Sequence, residues 1–183
     1  MIPFFVVFLL WGDWGAGIAF SMIGKYLALL VFVAAAITDW LDGVIARRQK
    51  LISNFGKLMD PLADKLIVAS AFIVFVELKL FPAWVVVLIL CREFIITGLR
   101  QLGMAQGRVI HADKWGKSKT ISQMVTIVAT LVFLCARDTL IFTGHWESVV
   151  VRSWSLDLWL HGFLLVLLMF VVFFTVWSGA IYV

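Results

Sequence analysis

Four aspartates stand in two closely spaced pairs within largely apolar stretches of chain: Asp39 with Asp42, and Asp60 with Asp64. Separations of three and four residues put the members of each pair on one face of a helix. If the two helices are antiparallel neighbours, the short connection between them lets the faces meet, and four carboxylates converge. Such a cluster repels itself, and a carboxylate at the centre of a bilayer costs roughly 2.5 to 3.5 kcal/mol on insertion scales. One or two hard divalent cations, which take oxygen ligands and keep positions open for water or substrate, answer that charge. Small residues flank the acids on their own faces: Gly43 one turn beyond Asp39, Ala46 one turn beyond Asp42, and Gly56 one turn before Asp60. The missing side chains leave a concavity. Glycine inside a helix costs roughly 0.5 to 1 kcal/mol relative to alanine, so its use here points to close approach of a ligand or of a second backbone. Arg47 adds a planar, permanently charged fork that matches phosphate oxygens.

A second group of charges lies further along. Arg92, Glu93 and Arg100 interrupt one apolar run, and Lys117 and Lys119 open the next. Cations inside an apolar helix do not face lipid, and a ligand carrying its own phosphate would explain Arg92 and Arg100, with Lys117 and Lys119 completing the pocket. A structural reading competes: Glu93, Thr97 and Arg100 share a helix face and would make a polar seam between helices, while Lys117 and Lys119 would only set orientation. Lys65 reads as charge balance. Cys91 and Cys135, far apart within apolar segments, offer neither a redox pair nor a zinc spacing and read as inert core residues.

The elements that must position these residues follow from composition. Of 183 residues 63% are hydrophobic and 14% charged, and the mean hydropathy is +1.07, which excludes an ordinary soluble globular domain. Trp11, Trp14, Trp84, Trp115, Trp146 and Trp154 lie near the ends of apolar runs, where amphipathic rings favour the headgroup level. Spanning the hydrocarbon takes about twenty helical residues. Six segments emerge, over 2–11, 20–47, 55–77, 84–103, 117–135 and 154–182, the first too short to span. The expectation is an all-α, polytopic membrane bundle of six transmembrane helices, in one domain over 1–183, with its first segment retained. Eight cations, Arg47, Arg48, Lys50, Lys57, Arg108, Lys114, Lys117 and Lys119, flank two of the connections, against Lys25, Lys79, Arg137 and Arg152 on the others. The positive-inside rule puts the former side, and with it all four aspartates, at the cytoplasmic face of the cell membrane.

Written out, the run Asp39-x2-Asp42-Gly43-x2-Ala46-Arg47-x8-Gly56-x3-Asp60-x3-Asp64 resembles the signature of the CDP-alcohol phosphotransferase family at all eight fixed positions. The resemblance implies a six-helix membrane enzyme, a homodimer, that displaces CMP from a CDP-linked alcohol by attack of a second alcohol. It implies that Asp39, Asp42 and Asp60 bind Mg or Mn, two ions in all, and that Asp64 both contacts metal and serves as general base. Gly43, Ala46 and Arg47, with Asp42 and Gly56 beside them, would line the donor's nucleotide and diphosphate. Further stretches, Asp60-Pro61-Leu62-Ala63-Asp64-Lys65, Arg92-Glu93-Phe94, Leu99-Arg100 and Gly116-Lys117-Ser118-Lys119-Thr120, are similar to the branch of the family that uses CDP-diacylglycerol as donor and sn-glycerol 3-phosphate as acceptor. For that branch Arg92, Arg100, Lys117 and Lys119 would hold the acceptor phosphate. Family members begin with an amphipathic segment ahead of the first spanning helix; starting at Met1-Ile2-Pro3, this chain is expected to lack it.

No nucleic-acid partner is expected. Within the enzyme class the rival acceptors are inositol phosphate and phosphatidylglycerol. From another class, an acidic intramembrane cluster also suits a divalent-cation transporter, which would place acids near mid-membrane on several helices; here they gather at the ends of two helices beside Arg47.

Overall fold

The computed structural model describes residues 1–11, 17–49, 54–105, 114–144, 150–151 and 154–180. Among these residues six helices follow one another: α1 (Ile2–Leu10), α2 (Ile18–Gln49), α3 (Asn54–Glu77), α4 (Ala83–Ala105), α5 (Lys114–Phe142) and α6 (Leu156–Ala180). All six segments expected from the sequence are present. A two-residue antiparallel ladder, Val150–Val151 (β1) with Trp154–Ser155 (β2), precedes α6. The last helix therefore starts at Leu156 and not at Trp154. Two stretches among the described residues, Ile18–Thr38 and Lys119–Phe142, are long and apolar enough to cross a membrane.

α5 is the axis of the bundle and packs against α2, α3 and α6, while α4 closes it against α3 and α6. At nine residues, α1 rises only about 14 Å, half of the hydrocarbon thickness. It lies against α2 and α3, burying Phe5 and Leu9, with the rings of Phe5 and Phe32 5.7 Å apart. The approach is close at one point. A Cβ on Gly24 of α2 would stand 2.4 Å from the Phe8 carbonyl oxygen, so only glycine lets α1 settle there. The core continues through Phe72 and Phe75 of α3, Ile89 of α4, Ile127 and Leu131 of α5, and Leu164 and Leu168 of α6.

α3 ends in a Schellman motif, with Lys79 at φ 57°. The Lys79 N–H donates to the Val76 carbonyl and the Leu80 N–H to the Phe75 carbonyl, both at 2.9 Å, which satisfies carbonyls that the helix end would leave open. Pro82 then prevents the helix from resuming before α4.

α5 runs seven residues beyond the expected end at Cys135. The added turns carry Asp138, which is buried inside the bundle. Its Oδ2 accepts from Ser21 Oγ at 2.6 Å and from Lys25 Nζ at 2.8 Å, both on α2. A hydroxyl bond between Tyr26 and Thr139 at 3.0 Å extends this α2–α5 seam. Outward, large apolar side chains stand exposed along helix faces, among them Ile23 and Leu30 of α2, Val87 and Ile95 of α4, and Phe170 and Phe173 of α6. Contiguous apolar surface of this kind suits lipid and not water. The Phe-rich stretch of α6 divides accordingly, Phe163, Phe170 and Phe173 facing out and Leu164, Leu168 and Val171 facing in. Cys135 is buried as expected, whereas Cys91 is exposed.

Candidate active site

Both aspartate pairs stand on unbroken helix. α2 continues to Gln49 and so carries Asp39, Asp42, Gly43, Ala46 and Arg47; α3 begins at Asn54 and carries Gly56, Asp60 and Asp64. At 1.5 Å per residue the members of the pairs are about 4.5 and 6 Å apart along their axes, each pair on one face. The side chains of these eight residues lie outside the described ones, as do those of Arg100 and Lys117. Among the described residues no three of His, Cys, Asp and Glu gather as a metal would require. The donor set fits a hard divalent cation all the same: four carboxylates, two on each of two continuous helices, offer oxygen alone.

The second group of charges, on α3, α4 and α5, is placed more fully. Glu93 of α4 receives two ammonium groups, Lys65 of α3 at Oε1 and Lys119 of α5 at Oε2. Lys119 is 2% exposed, and one turn along α5 Gln123 is buried as well. Arg92 is half-buried on α4. Thr97 turns its hydroxyl back to the Glu93 carbonyl of its own helix at 2.8 Å. Of the seam weighed from the sequence, Glu93 alone is seen to join helices, through Lys65 and Lys119; Thr97 bonds within its own helix, and the Arg100 side chain lies outside the described residues. A cavity of about 20 Å³ borders this cluster, lined by Lys65, Glu93, Thr120 and Gln123 together with apolar side chains of α3 and α4.

Two features escaped sequence reasoning. Lys65 balances charge as anticipated, but its partner is Glu93, and Glu93 was read as one member of a seam and not as the centre of a triad. Lys25 was counted among loop charges, whereas it is buried on Asp138. The available signal was the same in both cases: a charge within an apolar helix must find a partner.

The chain belongs to the CDP-alcohol phosphatidyltransferase family, whose model matches residues 1–181. It is 40% identical over 136 residues to a CDP-diacylglycerol--glycerol-3-phosphate 3-phosphatidyltransferase of Bacillus subtilis (strain 168), an alignment covering 72% of this chain and 70% of that protein. A protein of the same name from Sodalis glossinidius is 40% identical over 140 residues, with the same coverage of both chains. The one from Mycoplasma pneumoniae is 38% identical over 106 residues, 58% of this chain and 47% of its own length.

Proposed function

We propose that this membrane enzyme transfers the phosphatidyl group from CDP-diacylglycerol to sn-glycerol 3-phosphate, giving phosphatidylglycerophosphate and CMP in phospholipid synthesis. The observation that carries the reading is the placement of Asp39, Asp42, Asp60 and Asp64 at helical spacing on unbroken α2 and α3, in a chain 40% identical to relatives named for this reaction.

Asp39, Asp42, Asp60 and Asp64 would hold Mg or Mn, two ions in all, and the bound cations supply neutralisation of the diphosphate and of charge developing on the leaving group. Arg47 offers its guanidinium to the diphosphate, and Gly43, Ala46 and Gly56 leave room for the nucleotide beside Asp42. Asp64 takes the proton from the acceptor hydroxyl. The hydroxyl oxygen then forms a bond to the lipid-side phosphorus, the bond from that phosphorus to the CMP oxygen breaks in line with it, and CMP departs with the electron pair. Arg92, Arg100, Lys117 and Lys119 supply the positive charge that an acceptor with its own phosphate calls for. The reading includes one domain of six spanning segments over 1–183, a site facing the cytoplasm and a homodimer in the cell membrane; the run of cations beside the α2–α3 and α4–α5 connections and the family resemblance support these.

The test is CMP release by purified protein from CDP-diacylglycerol with a panel of acceptors. Release should require glycerol 3-phosphate, fail with inositol phosphate or phosphatidylglycerol, stop in excess chelator and return with added Mg or Mn. Undiminished turnover in chelator, or equal turnover with every acceptor, would overturn the reading.

A further inference from the structure

The Glu93 carboxylate divides its two oxygens between two helices, Oε1 to Lys65 of α3 and Oε2 to Lys119 of α5. One residue of α4 thus ties three helices together at a point where each carries part of the site. Lys65 directly follows Asp64, and Lys119 stands two residues from Lys117. We propose that Glu93 is a positioning residue for the acceptor: it holds the Lys119 ammonium where the acceptor phosphate can take that group's remaining protons, and through Lys65 it sets the rotation of α3 beside Asp64. The proposal rests on the acceptor reading given above.

The physical case has three parts. Lys119 is 2% exposed, and a buried ammonium needs a counter-charge, which Glu93 provides. An ammonium carries three protons, so donation to one carboxylate oxygen leaves it able to donate further. Second, lysine is a point charge on a flexible four-carbon stem. Two such stems of like charge converge on one place only because an anion lies between them, and the Glu93 side chain, 16% exposed, is itself held within the bundle. Third, the cavity beside the carboxylate, about 20 Å³, admits a water molecule and not an acceptor. The space beside Glu93 thus suits water and not substrate, and the carboxylate's direct partners are the two lysines.

The alternatives predict different kinetics. If Glu93 only stitched helices together, its loss would disturb donor and acceptor alike. If it competed with the phosphate for the lysines, its loss would tighten acceptor binding. The experiment measures CMP release by the purified chain in micelles, varying glycerol 3-phosphate and CDP-diacylglycerol in turn. Glu93→Gln is expected to raise the acceptor KM about ten- to hundredfold, the span of one charge-assisted hydrogen bond, while the donor KM stays within about twofold. Glu93→Asp should recover part of the loss. Because the effect runs through Lys119, adding Glu93→Gln to Lys119→Gln should cost little more acceptor affinity than Lys119→Gln alone. An unchanged or lowered acceptor KM, equal changes in both KM values, or independent multiplication of the two substitutions would overturn the proposal. An acceptor KM untouched by Lys119→Gln would instead remove the acceptor reading beneath it. Should Glu93→Gln fail to accumulate in membranes, Glu93→Asp, which shortens the side chain by one methylene, is held to the same criteria: a raised acceptor KM with the donor KM unchanged.

Discussion

Asp39 and Asp64 are both carboxylates on a helix face, but their replacement by asparagine should read differently. Asparagine keeps an oxygen ligand and the size of the side chain while removing charge and basicity. At Asp64, the proposed base, the turnover rate should fall about 10² to 10⁴-fold, the usual range for general acid-base catalysis, with a smaller loss of metal affinity. At Asp39, proposed only as a ligand, metal affinity should suffer first and added Mg should restore part of the rate. Turnover against Mg concentration for the two variants decides between the roles; full rescue of Asp64→Asn by Mg would make Asp64 a ligand alone. These aspartates were legible from the chain because their spacing is local: three or four residues suffice to define a helix face. The Glu93 triad was not. Its members stand at 65, 93 and 119, and no periodicity along one helix links residues whose meeting depends on how three helices pack.

Between elements, the α2–α5 seam offers a separate test of what holds the bundle. Lys25 and Asp138 have side chains 6% and 1% exposed, so neither can shed its charge cost to water. Removing one partner of a buried pair leaves an unpaired charge and destabilises by about 3 to 5 kcal/mol, whereas replacing both with apolar groups is often neutral. Asp138→Asn should accordingly lower the thermal midpoint in detergent markedly, and Lys25→Met combined with Asp138→Leu should recover most of it. A double variant as unstable as the single one would show that the Ser21 bond and the local shape, and not the ion pair, join the helices. The seam lies about 28 Å along α5 from Lys119, at 1.5 Å per residue. α5 is thus pinned at one end by Asp138 and at the other by Lys119, and its length beyond Cys135 exists to reach the first of these contacts. Asp138, beyond the expected end at 135, is covered by Ser21 and Lys25 of the neighbouring helix.

For the molecule as a whole, the two buried lysines also bear on orientation. Lys25 and Lys119 are spent in ion pairs within the bundle, yet removing one from each side leaves the excess of cations beside the α2–α3 and α4–α5 connections. Single cysteines introduced at Lys79 and at Gln106, with Cys91→Ser and Cys135→Ala in the background, should therefore label from opposite sides. An impermeant thiol reagent added outside intact cells should reach position 79 and not position 106; the reverse pattern would invert the proposed topology. Composition and hydrophobic run length alone determined that the chain is helical and suited to a membrane, and short-range spacing picked out the aspartates, because both depend on residues within a few turns of one another. Only the tertiary structure decided that α1 seats against Gly24, that Asp138 lies inside the bundle, and that Glu93 gathers lysines from two other helices. Those outcomes depend on which faces of separate helices meet, and the pairing of distant charges follows from that packing and not from their positions in the chain.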